Sequence, residues 1–277
     1  MEDKSFAILG CGSMGTAILS GLIKAHVKPE KVKATVRKVE SSAALIKKFH
    51  ITAYSTDYQP NANSLAVEGA QVVLLAVKPA YITQVLDEIQ HVLHEDALVI
   101  SVAAGITTAT MEQHVSSKVA VIRAMPNTPA LIQKGLTGIA AGSRVSQEQL
   151  SFAQELFNGV GKTLVIPEQK IDALGTISGS GPAYVFYFIE EFIKTSVAMG
   201  FSQEEAYLLV SETFLGASEL LVHTKQDPAE LRRQVTSPNG TTMKAIAVLE
   251  EGNLHDLFLK ATNSALARSK EIAQEMK

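Results

Sequence analysis

The sequence predicts an α/β domain with a mostly parallel sheet followed by an all-α domain, and three observations carry that prediction. Short β-branched runs alternate with amphipathic stretches from Phe6 to about Val165, which is the pattern of a parallel sheet covered by helices. The run VVLLAV at 72–77 is apolar at every position instead of at alternate ones, as expected of a strand buried on both faces. After Pro167 such runs stop, and the chain reads as helices separated by SGSGP, MGFS, TKQDP, SPNG and EGN, whose Gly, Pro, Ser and Asn residues interrupt or cap helices. A length of 277 residues also suits two domains, here 1–166 and 167–277.

In order, strands are expected at 6–9, 33–36, 72–77, 98–101, 119–123, 137–140 and 163–166, with helices at 14–24, 41–49, 80–94 and 147–157. In the second half, the stretch 183–199 carries Tyr184, Val185, Phe186, Phe188, Ile189, Phe192, Ile193 and Val197. That is apolar around more of the circumference than a one-sided surface helix needs. The small domain therefore calls for a second copy to cover it.

Composition narrows the function. Apolar residues make up 46% and charged residues 19%, which excludes a disordered chain. Lys+Arg 25 against Asp+Glu 28 gives a net charge of −3, so no global basic field favours nucleic acid. The single cysteine, Cys11, has no partner for an internal disulfide, in keeping with a reducing compartment. No apolar stretch reaches the roughly 18 residues of a membrane span, and the start lacks a signal-peptide pattern, so a cytoplasmic protein without membrane contact is expected. His91 and His94 beside Glu95 and Asp96 read as a solvated helix face, and no metal is assigned.

The first strand runs into Gly10, Cys11, Gly12, Ser13, Met14 and Gly15 and then a helix. This is the G-x-G-x-x-G fingerprint of a Rossmann domain in its required context. Gly10 permits the tight turn, Gly12 lets the backbone approach a pyrophosphate, Gly15 allows close helix packing, and the helix start offers amide donors. The end of the second strand selects the cofactor: an acid there bonds the ribose of NAD, whereas a cation favours the 2′-phosphate of NADP. Arg37 and Lys38 stand there, so NADPH is expected over NADH, with NADH still usable. Loops after later strands, Ala76-Val77-Lys78-Pro79, Val102-Ala103-Ala104 and RAMPNTP at 123–129, would face the same crevice.

In the helical half, SGSGP at 178–182 and TSPNGTT at 236–242 both read as glycine-rich and hydroxyl-rich helix openings. The second is a plausible anion nest, with Asn239 tolerant of the left-handed backbone. A catalytic histidine, a nucleophile elbow and a metal-ligand cluster have no support in the sequence.

Taken together, GCGSMG, AVKP, RAMPNTP, SGSGPAY and TSPNGTT, in this order over nearly the whole chain, resemble the pyrroline-5-carboxylate reductase family. The resemblance implies NAD(P)H-dependent reduction of the imine of 1-pyrroline-5-carboxylate to L-proline, a helical dimerisation domain, and homodimers or rings of dimers. It also implies that the loops at Ala76 to Pro79 and Val102 to Ala104 line the dinucleotide and that Asn63 lies near its adenosine half. Glu168, Ser237, Gly240, Thr241 and Thr242 would contact substrate, with amides at 240–242 holding the carboxylate and the Thr242 hydroxyl meeting the ring nitrogen. Hydride transfer to a protonated C=N needs orientation more than a strong catalytic base, which suits a chain of this composition. Two alternatives stand beside it: a β-hydroxyacid dehydrogenase-like oxidoreductase, and an NADPH sensor without catalysis.

Overall fold

The computed structural model describes residue 1 and residues 3–275, with side chains as far as Ile272. In chain order the elements are β1 (Phe6–Leu9), α1 (Ser13–Lys24), β2 (Val32–Val36), α2 (Val39–Phe49), β3 (Thr52–Ser55), α3 (Ala62–Val67), β4 (Val72–Leu75), α4 (Ile82–Ile89), β5 (Leu98–Ser101) and α5 (Thr108–Gln113). They continue with β6 (Ala120–Met125), β7 (Gly135–Ala141), α6 (Gln147–Asn158), β8 (Gly161–Val165), α7 (Ile171–Leu174), α8 (Gly181–Ala198), α9 (Gln203–Thr224), α10 (Pro228–Gln234), α11 (Thr241–Glu251) and α12 (Leu254–Glu275).

The strands form one sheet in the order β3-β2-β1-β4-β5-β6-β7-β8. All neighbours are parallel except β6 and β7, so the sheet is mostly parallel, as expected. Every residue of β1, β4 and β5 is buried, because alternate side chains feed two cores. Phe6, Ile8, Val72 and Leu74 join Ile18, Leu22, Leu156 and Phe157 on one face. Ala7, Leu9, Val73 and Leu75 join Val67, Ile82, Leu86 and Ile89 on the other. Each large side chain so buried contributes about 1.5–3 kcal/mol of transfer free energy. The strand order reverses between β1 and β4, and the crevice beyond the carboxyl ends of such strands is where open α/β sheets bind ligands.

Several elements differ from expectation. β4 ends at Leu75 instead of residue 77: β1 ends opposite it at Leu9, and after Ala76 N–H donates to Leu9 O (2.8 Å) no strand partner remains. The expected helix at 80–94 ends at Ile89. There the N–H groups of Val92 and Leu93 both donate to Ile89 O at 3.0 and 3.1 Å, folding those apolar side chains back onto the core. The edge strand β3 and the short helices α3 and α5 were not expected. SGSGP does open a helix, with Gly181 and Pro182 as the first residues of α8, but what precedes it is not a loop. Gly175–Gly179 forms a π-helical turn between α7 and α8, and Ser180 N–H donates to Gly175 O (2.9 Å). Side chains at 175 and 179 would come within 3.0 and 3.1 Å of Met125 Cε, so the glycines let this wide turn lie against β6.

The chain divides into two compact units, Met1–Ser180 with residues from Ala265 onward, and Gly181–Ser264. The change in sequence pattern at 166/167 therefore precedes the boundary between compact units, and the end of α12 belongs with the first. Within the second unit, Phe192 meets Phe214 edge-on (6.5 Å) and Phe188 packs on Phe258 (5.7 Å). Phe186 (64%), Tyr187 (61%) and Leu208 (61%) are left exposed.

Candidate active site

The glycine-rich turn lies at the switch point. Gly10 adopts φ +76°, a conformation that strains any residue with a Cβ. A side chain there would also meet Val77 Cγ1 at 2.6 Å and Val77 N at 2.8 Å. A Cβ on Gly15 would touch Ile8 and Cys11 at 3.3 and 3.4 Å, which explains the third glycine as close helix-on-strand packing. Gly12 is different: a Cβ there meets only Gly10 O, at 3.9 Å, so nothing within the protein requires a glycine. Gly12 is also the N-cap of α1, with no side-chain cap and no acid in the first turn. The amides of Ser13, Met14 and Gly15 therefore stay available for an anion. Open space at Gly12 in front of uncapped amides fits a dinucleotide pyrophosphate.

Around this turn the structure gathers the expected loops at the carboxyl ends of β2, β4 and β5. Arg37 and Lys38 follow β2, both exposed and unpaired among the described residues, while the Arg37 carbonyl accepts from Ser55 Oγ (2.7 Å). Ala76, Val77, Lys78 and Pro79 follow β4, and Val102, Ala103 and Ala104 follow β5. Lys78 is exposed and Ala103 buried. Cys11 sits with its side chain in the core at 3% exposure, and burial pushes its thiol up to about 11. Only its main chain can face a ligand. Asn63, expected near the adenosine half, is 8% exposed and has both ends of its carboxamide engaged inside the unit, by Thr35 and Glu88.

Glu168 belongs to a second group of polar residues, whose other members, Arg123, Asp172 and Thr108, were missed from sequence. Arg123 lies on β6 at 2% exposure and donates to Asp172 Oδ1 (2.5 Å), with Glu168 Oε1 3.8 Å away. Glu168 accepts from Thr108 N–H and Thr108 Oγ1, both at 2.7 Å. The carboxylate expected to contact substrate is thus already committed to tying α5 to the segment after β8. A buried guanidinium needs such acids, so an Arg inside the apolar run AVIRAM was the available signal. Asp172 also lines a cleft of about 300 Å³ with Ala104, Gly105, Met125, Thr176, Ser180 and, from α12, Arg268.

In the second unit, the stretch Ser237 to Thr242 turns into α11. Asn239 is left-handed at φ +58°, and Gly240 is the N-cap without any side-chain cap. A Cβ at Gly240 would lie 2.4 Å from Ser237 Oγ. The hydroxyl-rich opening is therefore not an ordinary cap: α11 starts with free amides at Thr241 and Thr242, which can receive a carboxylate. Arg233, one turn upstream, is held by Glu230 at 2.6 and 2.9 Å.

A doubly wound sheet with a glycine-rich turn and anion-ready amides at its switch point, followed by a helical unit, defines a nicotinamide-dinucleotide oxidoreductase of the Rossmann type. Residues 5–105 match the family model described as NADP oxidoreductase coenzyme F420-dependent, and residues 168–272 match pyrroline-5-carboxylate reductase dimerisation. The chain is 38% identical to the pyrroline-5-carboxylate reductase of Corynebacterium melassecola, over 98% of this chain and 99% of that protein. The structure of a pyrroline-5-carboxylate reductase from Coxiella burnetii superposes with a TM-score of 0.89 at 36% identity, covering 97% and 98% of the two chains. The Plasmodium falciparum pyrroline carboxylate reductase with NADP bound gives 0.85 at 28% identity, covering 99% of each. The chain belongs to the pyrroline-5-carboxylate reductase family.

Proposed function

We propose that this protein reduces the C=N bond of 1-pyrroline-5-carboxylate to L-proline with NADPH, and with NADH less well. The observation that carries the reading is the uncapped, glycine-led start of α11 in a chain whose sheet already provides a dinucleotide crevice. Full-length relatives named as pyrroline-5-carboxylate reductases support it. The cofactor, when bound, supplies the hydride. On the protein side, Gly10 to Gly15 with the loops at Ala76 to Pro79 and Val102 to Ala104 hold the dinucleotide, and Arg37 and Lys38 receive the 2′-phosphate. The Gly240 N–H is spent on Ser237 O (3.1 Å), so the amides of Thr241 and Thr242 hold the substrate carboxylate, and the Thr242 hydroxyl orients the ring nitrogen. Because a hydroxyl is a weak acid, Thr242 acts by hydrogen bonding. With the nitrogen protonated beforehand, transfer forms one C–H bond at carbon as the C=N π bond breaks and its electron pair passes to nitrogen, leaving a secondary amine. Glu168 is held by Thr108 and ties α5 to the segment after β8.

The protein works as a homodimer, or a ring of dimers, in the cytoplasm. Apolar side chains left exposed on α8 and α9 support the dimer, and among the described residues no helix is long and apolar enough to cross a membrane. The test is NADPH oxidation with pyrroline-5-carboxylate beside pyrroline-2-carboxylate and hydroxyacids with NADP⁺. Proline formation from the first is the expected result. Turnover of a hydroxyacid alone, or NADPH binding without turnover, would overturn the reading.

A further inference from the structure

Gly10 and Gly12 have no side chains with which to hold the turn, so the orientation of its first amides must come from elsewhere. Gly10 is left-handed, and its N–H donates to Thr35 Oγ1 at 3.1 Å. The next amide, Cys11 N–H, donates to the main-chain oxygen of the same residue at 2.7 Å. Thr35, 1% exposed, thus takes two consecutive donors of the turn. Having accepted from Gly10, its hydroxyl is left to donate, and Asn63 Oδ1 lies 2.9 Å away. That sets the Asn63 carboxamide with its oxygen towards Thr35 and its nitrogen towards Glu88, where Nδ2 donates to Oε2 at 2.9 Å. Glu88 Oε1 is buried without a partner, so among the described residues the Glu88 carboxylate serves Asn63 alone.

From this we infer that Thr35, Asn63 and Glu88 form a directional chain of hydrogen bonds that preorganises the dinucleotide-binding turn, with Thr35 and Glu88 as positioning residues for cofactor binding. The chain has one polarity: amide to hydroxyl, hydroxyl to carboxamide oxygen, carboxamide nitrogen to carboxylate. Reversing any link leaves two acceptors facing each other in a buried site, where an unmade hydrogen bond is costly. Holding the turn in its bound geometry lowers the ordering cost of binding, so the chain acts on NADPH affinity. The inference rests on the reading of Gly10 to Gly15 as the dinucleotide site.

The test uses the full-length protein and NADPH, with direct fluorescence titration as the main readout and thermal unfolding alongside. Thr35→Val keeps the shape and removes the relay, and should raise the NADPH Kd about tenfold. Thr35→Ser restores the hydroxyl and should bind within about twofold of wild type. Glu88→Ala should weaken NADPH binding several-fold, whereas Glu88→Gln, which keeps an acceptor, should bind nearly as wild type does. The KM for NADPH should rise in the weakened variants while the KM for the imine stays within about twofold. Wild-type affinity in both Thr35→Val and Glu88→Ala would overturn the inference, and so would Thr35→Ser binding as poorly as Thr35→Val. If Thr35→Val does not fold, the Glu88 pair decides by the same criterion. A wild-type protein that fails to bind NADPH would overturn the underlying reading of the turn.

Discussion

Adding one methyl group at Gly10 and at Gly12 should have opposite kinds of effect, although the two glycines lie two residues apart in one motif. At Gly10 an alanine would be forced to keep φ +76° and to place its Cβ 2.6 to 2.9 Å from Val77 Cγ1, N and Cα. The left-handed backbone costs about 1–2 kcal/mol, and relieving overlap with main-chain atoms costs about 1–3 kcal/mol more. Gly10→Ala should therefore destabilise the first unit by about 2–5 kcal/mol, enough to lower its unfolding midpoint by roughly 4–20 °C. At Gly12 the backbone is at φ −78° and the space around a Cβ is open, so Gly12→Ala should leave stability within about 0.5 kcal/mol. Its methyl instead stands where the pyrophosphate must approach, and NADPH affinity should fall at least about tenfold, equivalent to ~1.4 kcal/mol. Thermal unfolding and NADPH titration on both variants separate the effects. A Gly12→Ala protein that binds NADPH normally but unfolds as early as Gly10→Ala would refute the assignment of this face to the cofactor.

Other expectations are as concrete. Arg37→Glu should erase or reverse the preference for NADPH over NADH, costing about 1.5–3 kcal/mol for NADPH, and steady-state kinetics with both cofactors checks this. Phe186→Glu should shift the protein towards monomer or aggregate in light scattering, because a side chain 64% exposed in one chain would be buried against a second copy, where an unpaired carboxylate is costly. A Phe186→Glu protein with wild-type mass would contradict the dimer on this face. Cys11, raised from its ordinary 9.0 to about 11, should resist maleimide labelling of the native protein at pH 8. Because the folded thiol ionises later than the unfolded one, its contribution to stability is complete below about pH 9 and is lost as pH rises towards 11. Faster native labelling than for a free thiol would show that Cys11 is accessible.

What could be read from sequence followed hydrophobic pattern and glycine chemistry. β1 is apolar throughout and β5 is apolar up to its last residue, Ser101, and both match the expected bounds to the residue. The switch-point turn followed from GCGSMG, and the left-handed Asn239 agrees with the tolerance of asparagine for that backbone region. Elements escaped where pattern was weak or non-local. β3 is Thr-Ala-Tyr-Ser at the sheet edge, half of it partly exposed, so one partner strand defines it more than its own composition does. SGSGP at 178–182 reads as a helix opening, yet Gly179 ends a π-helical turn begun at Gly175, and both glycines lie against Met125, some fifty residues earlier. Glu168 is expected from the resemblance to contact substrate, but its partner Thr108 lies 60 residues away, a contact no local motif encodes. The Thr35, Asn63 and Glu88 chain is hidden for the same reason.

The most direct test of the account is the turnover of Thr242→Ala measured beside its NADPH affinity. The dinucleotide residues lie in the first unit and Thr242 opens α11 in the second, so the two readouts report on different units. If the hydroxyl orients the imine nitrogen at the transition state, kcat with pyrroline-5-carboxylate should fall about 10- to 100-fold, equivalent to ~1.4–2.7 kcal/mol, while the NADPH Kd stays within about twofold. Unchanged kcat and KM for the imine in Thr242→Ala would contradict the assignment of the α11 start as the place where the substrate is reduced.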